Sequence, residues 1–357
     1  MIGSVRDRLA ARLERWSGRP TLAAVAAMNA ITGLAAAAIL APSAFGADAG
    51  TFRGCALSVA EGRIDFCGFL YSPLFALIAR PLTWVSPTGA AVAMTLLGVA
   101  ILATGVRLET RGRALIDRAL VAIAALGFAP VVHELLLGQT TLLIAAALYP
   151  VARGPDAFRN GIPLGIVLAL APKPLLLPVL VWMLVWRRRA LAAALLATLT
   201  LTCLGLVLMG PDQYREWVSV LTGAGRETLS GTYSLASLSS YFSLWRNGLN
   251  AAMFASMAAI GAATLWAILR EPSRGFVAAL LAGLLLAPYT QLYATSILLV
   301  AVKPALAFAP RATRLLALTA NLALVLLPAF AAWCAAGLAA CLPLARPRKI
   351  RVPVGRP

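Results

Sequence analysis

The sequence predicts an all-α polytopic membrane protein, and three observations carry that prediction. Of its 357 residues, 61% are hydrophobic and only 12% are charged. Mean hydropathy is +0.86. Apolar runs recur along the whole length, so the chain reads as one membrane domain rather than an anchor with a soluble head. A soluble chain needs a polar surface that so few charges cannot build, whereas a bilayer accepts an apolar one. Segment lengths give about 10–12 hydrophobic helices, many of them short.

The net charge of +18 raises the alternative of a nucleic-acid partner. The placement of the arginines excludes it. They cluster in short breaks between apolar runs, the arrangement produced by the positive-inside rule. Residues 1–20 read as a cytoplasmic amphipathic segment, with Val5, Leu9, Leu13 and Trp16 on one stripe. The following run, 21–42, is long enough to span and is not read as a cleaved leader.

Residues 43–86 break the pattern. Asp48, Arg53, Glu61, Arg63 and Asp65 precede a short apolar run interrupted by Pro73 and Pro81. Reading 69–84 as interfacial leaves the cluster Arg107, Arg111, Arg113 and Arg118 inside after the span 87–106. Further spans are expected at 119–133, 139–152, 161–172, 174–186, 190–209, 250–269, 275–288 and 290–304. Residues 210–249, rich in Ser, Gly, Tyr and Trp, read as a second outer loop. Residues 315–344 are one tilted helix or two hinged at Pro328, and the basic tail 345–357 favours two. The transmembrane domain thus covers 21–344. A bacterial inner membrane is the expected location, with 43–86 and 210–249 on the outer face.

Five cysteines are too few for a disulfide scaffold. Cys203, Cys334 and Cys341 lie in apolar runs and read as packing residues. Cys55 and Cys67 share the first outer loop, where a bridge is chemically allowed, although nearby loop cysteines are more often free thiols. One histidine, His133, cannot build a zinc site, so neither metal nor cofactor is expected.

Thirteen acids are present. Asp7, Glu14, Glu109, Asp117, Asp156 and Glu271 lie beside inner arginines and read as charge balance. Asp48, Glu61, Asp65, Glu134, Asp212, Glu216 and Glu227 lie outside. None sits in the middle of a clear span, which argues against a proton relay.

The stretch FGADAGTFRGCALSVAEGR and the following FLYSPLFALIARPL resemble the first outer loop of the GT-C membrane glycosyltransferases of family 87. Asp48 followed by Phe52, then Gly62, then Tyr71-Ser72-Pro73, follow the family's order of motifs. Gly138-Gln139 heading an apolar helix, Lys173 within LALAPKPLLLPVLVW, Trp217 within GPDQYREWVSVL, and the turn in LLLAPYTQLYATSILL extend the similarity over roughly residues 20–310. The chain departs from the pattern at Ala49, at Tyr71-Ser72-Pro73 in place of Tyr-Pro-Pro, and at Tyr293-Ala294 in place of Tyr-Asp.

The resemblance implies a GT-C-like bundle with outer juxtamembrane helices. It implies sugar transfer, mannose or another hexose or pentose, from a polyprenyl-phosphate donor to a lipid or glycan acceptor. It also implies that Asp48 is the base. A carboxylate in reach of the acceptor hydroxyl suffices for that task, but Asp is also a favoured helix N-cap. Glu61 and Asp65 are alternative acids, or simply ion-pair partners of Arg63 and Arg53.

A lipid phosphate leaving group needs a nearby cation. Lys173, flanked by two prolines, fits that role and equally fits a lysine snorkelling from a helix end. Arg53 and Arg226 are weaker candidates. Tyr71, His133, Gln139, Trp217, Tyr233 and Tyr289 are candidate substrate contacts, His133 also a candidate second acid/base; caps and interfacial aromatics are the alternatives. No Gly-rich phosphate loop joins a strand to a helix, which argues against a nucleotide-sugar enzyme. A flippase or exporter of lipid-linked sugars remains the rival reading, since short broken helices suit a carrier too.

Overall fold

The structure, a computed structural model, describes residues 18–61, 71–229, 251–287, 291–325 and 328–342, and among them it is helical throughout. The all-α polytopic membrane architecture is therefore what the chain adopts. The amphipathic segment and the basic tail lie outside the described residues.

Three stretches are long and apolar enough to cross a bilayer: Arg19–Ala60, Pro87–Glu109 and Arg188–Met209. The first divides at Gly46 into α1 (Arg19–Ala44) and α2 (Ala47–Ala60). At ~1.5 Å per residue, the 26 residues of α1 reach about 39 Å, enough for the ~30 Å hydrocarbon layer. The outer run expected not to span forms α3 (Pro73–Ile78) and a 3-10 turn, Arg80–Trp84. Two such short pieces cannot cross. Ser86 then caps α4 (Pro87–Glu109) by accepting from the Gly89 amide at 3.1 Å.

The span expected at 119–133 is broken. α5 (Leu115–Leu126) and α6 (Ala129–Leu137) meet at 64°. Pro130 opens α6, where a missing N–H is harmless. The turn expected around His133–Gln139 falls at Gly138–Thr140, and His133 and Glu134 are helical. α7 (Thr141–Arg153) and α8 (Phe158–Leu170) follow. Pro172 and Pro174 end that run, and α9 (Leu177–Trp186) starts after the 3-10 turn Pro174–Leu176. α10 (Arg188–Met209) packs closely on α8, because a Cβ on Gly161 would lie 1.8 Å from the Ala190 carbonyl oxygen. Small residues let membrane helices approach this closely.

Residues 210–229, expected as loop, fold as α11 (Pro211–Leu229), with Pro211 at its start. α12 (Ala251–Arg270) and α13 (Pro272–Leu286) form the next pair. α13 is the centre of the bundle: every residue from Gly275 to Leu285 is buried. Trp182 and Trp186 of α9 hold this pair by donating to the Pro272 and Ile268 carbonyls at 2.8 and 2.6 Å. A 3-10 segment, Leu292–Ala301, leads into α14 (Val302–Phe308). The terminal region is two helices, α15 (Pro310–Val325) and α16 (Pro328–Cys341), joined by a bond from Trp333 Nε1 to the Leu316 carbonyl at 3.0 Å. Cys334 and Cys341 are buried as expected, but Cys203 is exposed on α10 and is not a packing residue.

One end of the bundle carries the basic breaks. There Glu109 accepts from Arg153 at 2.9 Å and from Lys303 at 3.3 Å. Arg19 pairs with Asp117 and Arg274 with Glu271. Asp156 receives the Ala190 amide at 3.1 Å and so caps α10. Glu109, Asp117 and Glu271 thus pair with basic residues, whereas Asp156 caps a helix through backbone amides, and Asp7 and Glu14 lie outside the described residues. α4 and α7 run from this basic end to the opposite one, where the candidate site lies.

Candidate active site

The site starts from a kink. Gly46 has φ +72°, and its amide donates to the Leu136 carbonyl at 2.7 Å. A side chain in this left-handed conformation costs roughly 1–2 kcal/mol, and a Cβ would also fall 2.6 Å from that of Ala91. The kink sets Asp48 in the first turn of α2, facing the end of α6. Gly46 is the N-cap residue of α2, and no side chain caps that helix. Asp48 therefore does not serve as the cap.

The half-buried Asp48 carboxylate instead accepts from Gln139 Nε2 at 2.6 Å. Gln139 Oε1 accepts from the Tyr71 hydroxyl at 2.5 Å and from the Thr140 amide at 3.2 Å. The Tyr71 hydroxyl also lies 3.0 Å from Thr140 Oγ1. This chain of bonds fixes the amide: its two donors must face the carboxylate, which only accepts. Tyr71 is held from behind. Its ring packs on Phe52 and Phe75, with centroids 5.0 and 4.8 Å away. The next amide, of Ser72, donates to the Leu170 carbonyl at 2.9 Å.

Gly138 presents Gln139 to Asp48. Its φ is +74°, and a Cβ would lie 2.9 Å from that of Ala49 and 3.1 Å from that of Met94. Gly138→Ala is expected to lower the unfolding midpoint of the solubilised protein by a few degrees, from the strained conformation and the close contact. An unchanged midpoint would show that α2 and α6 are not held at this distance.

Lys173 comes from the extended link between α8 and the 3-10 turn. Its ammonium lies over the rings of Tyr293 and Tyr71, 5.0 and 5.7 Å from their centroids. Cation–π contacts of this kind are worth ~0.5–2 kcal/mol. The charges of Glu134 and Asp48 act on it, yet among the described residues no carboxylate lies within salt-bridge distance. Pro174 has no N–H to offer at this break.

Glu134 is 1% exposed. Its Oε1 accepts from the Leu142 amide at 2.8 Å and its Oε2 from Ser296 Oγ at 3.3 Å. It therefore sits at the N-terminus of α7, where a negative charge is favoured, and ties that helix to the Leu292–Ala301 segment. His133 is half-buried, its ring 5.9 Å from that of Tyr293.

Of the residues singled out in the sequence, Asp48, Tyr71, Gln139 and Lys173 come together, with His133 at the edge. Arg53 is turned to the Val85 carbonyl, 3.1 Å from Nε. Glu61 is exposed at the end of α2. Trp217 packs on Tyr214 of its own helix, centroids 5.9 Å apart. Asp65, Cys67, Tyr233, Tyr289 and the side chain of Arg226 lie outside the description, and the Cys55–Cys67 pairing with them. The sequence alone assigns no role to Thr140, Glu134, Tyr293 or Ser296. The proximity of Glu134 to Gln139 was a usable signal for the first two, whereas nothing local pointed to Ser296.

Residues 69–290 match the model of glycosyltransferase family 87. No curated protein and no solved structure matches the chain. The matched stretch contains Tyr71, His133, Gln139 and Lys173. Asp48 precedes it and joins it in space through Gln139.

Proposed function

The chain belongs to glycosyltransferase family 87, and on that premise we propose that Asp48 is the base of a sugar transfer from a polyprenyl-phosphate donor. The acceptor is a lipid or glycan hydroxyl. We place the site on the outer, periplasmic face of a bacterial inner membrane, because the basic end opposite it fits the inside.

In this reading the acceptor oxygen attacks the anomeric carbon of the donor sugar. Its proton passes to Asp48 as the new C–O bond forms. The bond from that carbon to the phosphate oxygen breaks on the other face, so configuration inverts, and polyprenyl phosphate leaves with the electron pair. Gln139 holds the carboxylate, and Tyr71 and Thr140 hold Gln139. The Lys173 ammonium offsets the charge developing on the phosphate. Positioned charges of this kind act most strongly where water is excluded.

The observation that carries the proposal is the pairing of an oriented carboxylate with a cation that, among the described residues, has no carboxylate in salt-bridge range. The test is transfer of radiolabel from a polyprenyl-phosphate sugar into membrane lipids by the purified protein in liposomes. A new glycosidic product is expected. Movement of the donor across the bilayer with no such product would favour a flippase instead. Tyr71→Phe is expected to slow transfer roughly 10-fold, because it removes the shorter of the two bonds to Gln139 Oε1 and leaves only the Thr140 amide at 3.2 Å to hold it. An unchanged rate would remove Tyr71 from the relay.

A further inference from the structure

A second site stands at the opposite end of the molecule. Between α4 and α5 lies a groove of about 510 Å³, walled by apolar side chains including Val99, Leu102, Val106, Leu115 and Leu126. Its volume is within the ~300–1,000 Å³ of ligand-sized sites. Arg107 and Arg118 line the groove, and Arg111 and Arg113 lie in the loop between the two helices. Among the described residues none of these four arginines has a carboxylate in salt-bridge range. The two acids nearest in sequence are engaged elsewhere: Glu109 by Arg153 at 2.9 Å and Lys303 at 3.3 Å, and Asp117 by Arg19 at 2.9 Å. Arg118 uses Nε on the Arg113 carbonyl at 3.0 Å, which leaves its terminal nitrogens. The groove wall is open, with Leu115 81% exposed.

From this geometry we infer that the groove binds one anionic phospholipid. An acyl chain lies along Val99, Leu102 and Leu126, and the phosphate sits between Arg107 and Arg118. Charge complementarity selects this occupant. Residues 1–17 precede Arg19 and carry Arg6, Arg8, Arg12 and Arg15, so they match the arginine rim poorly. A zwitterionic lipid fills the apolar part equally well but leaves the cluster unneutralised. Basic pockets between membrane helices, near the headgroup level, favour anionic headgroups for this reason.

The test is native mass spectrometry of the full chain, exchanged into equal amounts of phosphatidylglycerol and phosphatidylcholine with the same acyl chains. Wild type is expected to retain one phosphatidylglycerol in preference. The double variant Arg107→Gln/Arg118→Gln is expected to lower that preference roughly 10-fold or more, and Arg107→Lys/Arg118→Lys to restore much of it. Equal retention of both lipids by wild type overturns the inference, and is the result expected if residues 1–17 or a second copy fill the groove. A preference unaltered in the Gln variant overturns it too. None of these readouts depends on sugar transfer.

Discussion

Asp48→Asn is expected to reduce sugar transfer by about 10²–10⁴-fold, the usual contribution of a positioned acid–base group. The substitution nearly preserves shape. The Asn carbonyl can still accept from Gln139 Nε2, now 2.6 Å from the carboxylate, so the kink at Gly46 and the end of α6 keep their contact. The unfolding midpoint and the affinity for donor should therefore stay close to wild type, while kcat falls. Asp48→Glu should recover part of the rate, since it restores a carboxylate in a shifted position. Unimpaired transfer by the Asn variant would sink the assignment of the base.

Lys173→Met should lower transfer by roughly 10²–10³-fold, the scale for removing one charge-stabilising group. Met fills similar space and can remain against the rings of Tyr71 and Tyr293, so packing at the α8–α9 break is retained. Here the loss should extend to KM for the donor, because the phosphate loses its counter-charge before and during bond breaking. Lys173→Arg should keep the charge with altered geometry and retain more activity than Met. Comparison of single-turnover rates at saturating donor separates the two effects. Wild-type rates in the Met variant would reduce Lys173 to a packing residue.

The parts of the fold legible in the sequence were those encoded by length and charge. α1, α4 and α10 read directly as apolar runs with a basic break at one end, the start of α1 and α10 and the finish of α4. Keeping Arg107, Arg111, Arg113 and Arg118 on one side makes 69–84 a non-spanning unit, and Pro73–Ile78 and Arg80–Trp84 are a short helix and a 3-10 turn. The bend between α5 and α6 was not legible. Gly127 and Pro130 sit in a run apolar enough to read as one span, and only packing against α1 and α4 reveals its direction. α11 was read as loop because residues 230–249, rich in Ser and Gly, coloured the whole interval. Asp48, Tyr71, Gln139 and Lys173 were identified together through a family resemblance, since no spacing rule links them. Glu134 was visible as an outer acid, but its tie to Ser296 is a tertiary contact with no local pattern.

That last contact has a consequence for biogenesis. Asp48 and Gln139 are 91 positions apart, and Glu134 and Ser296 are 162 apart. The first pair becomes available once Gln139 has left the ribosome. The second waits for Ser296, roughly 160 positions further on, or roughly 8–30 s at ~5–20 residues per second. A nascent chain thus holds a half-built centre, with its carboxylate, amide and lysine inserted but its closing wall still unmade. The order of synthesis keeps the chain from meeting donor with a complete site until nearly all of the bundle is in the membrane.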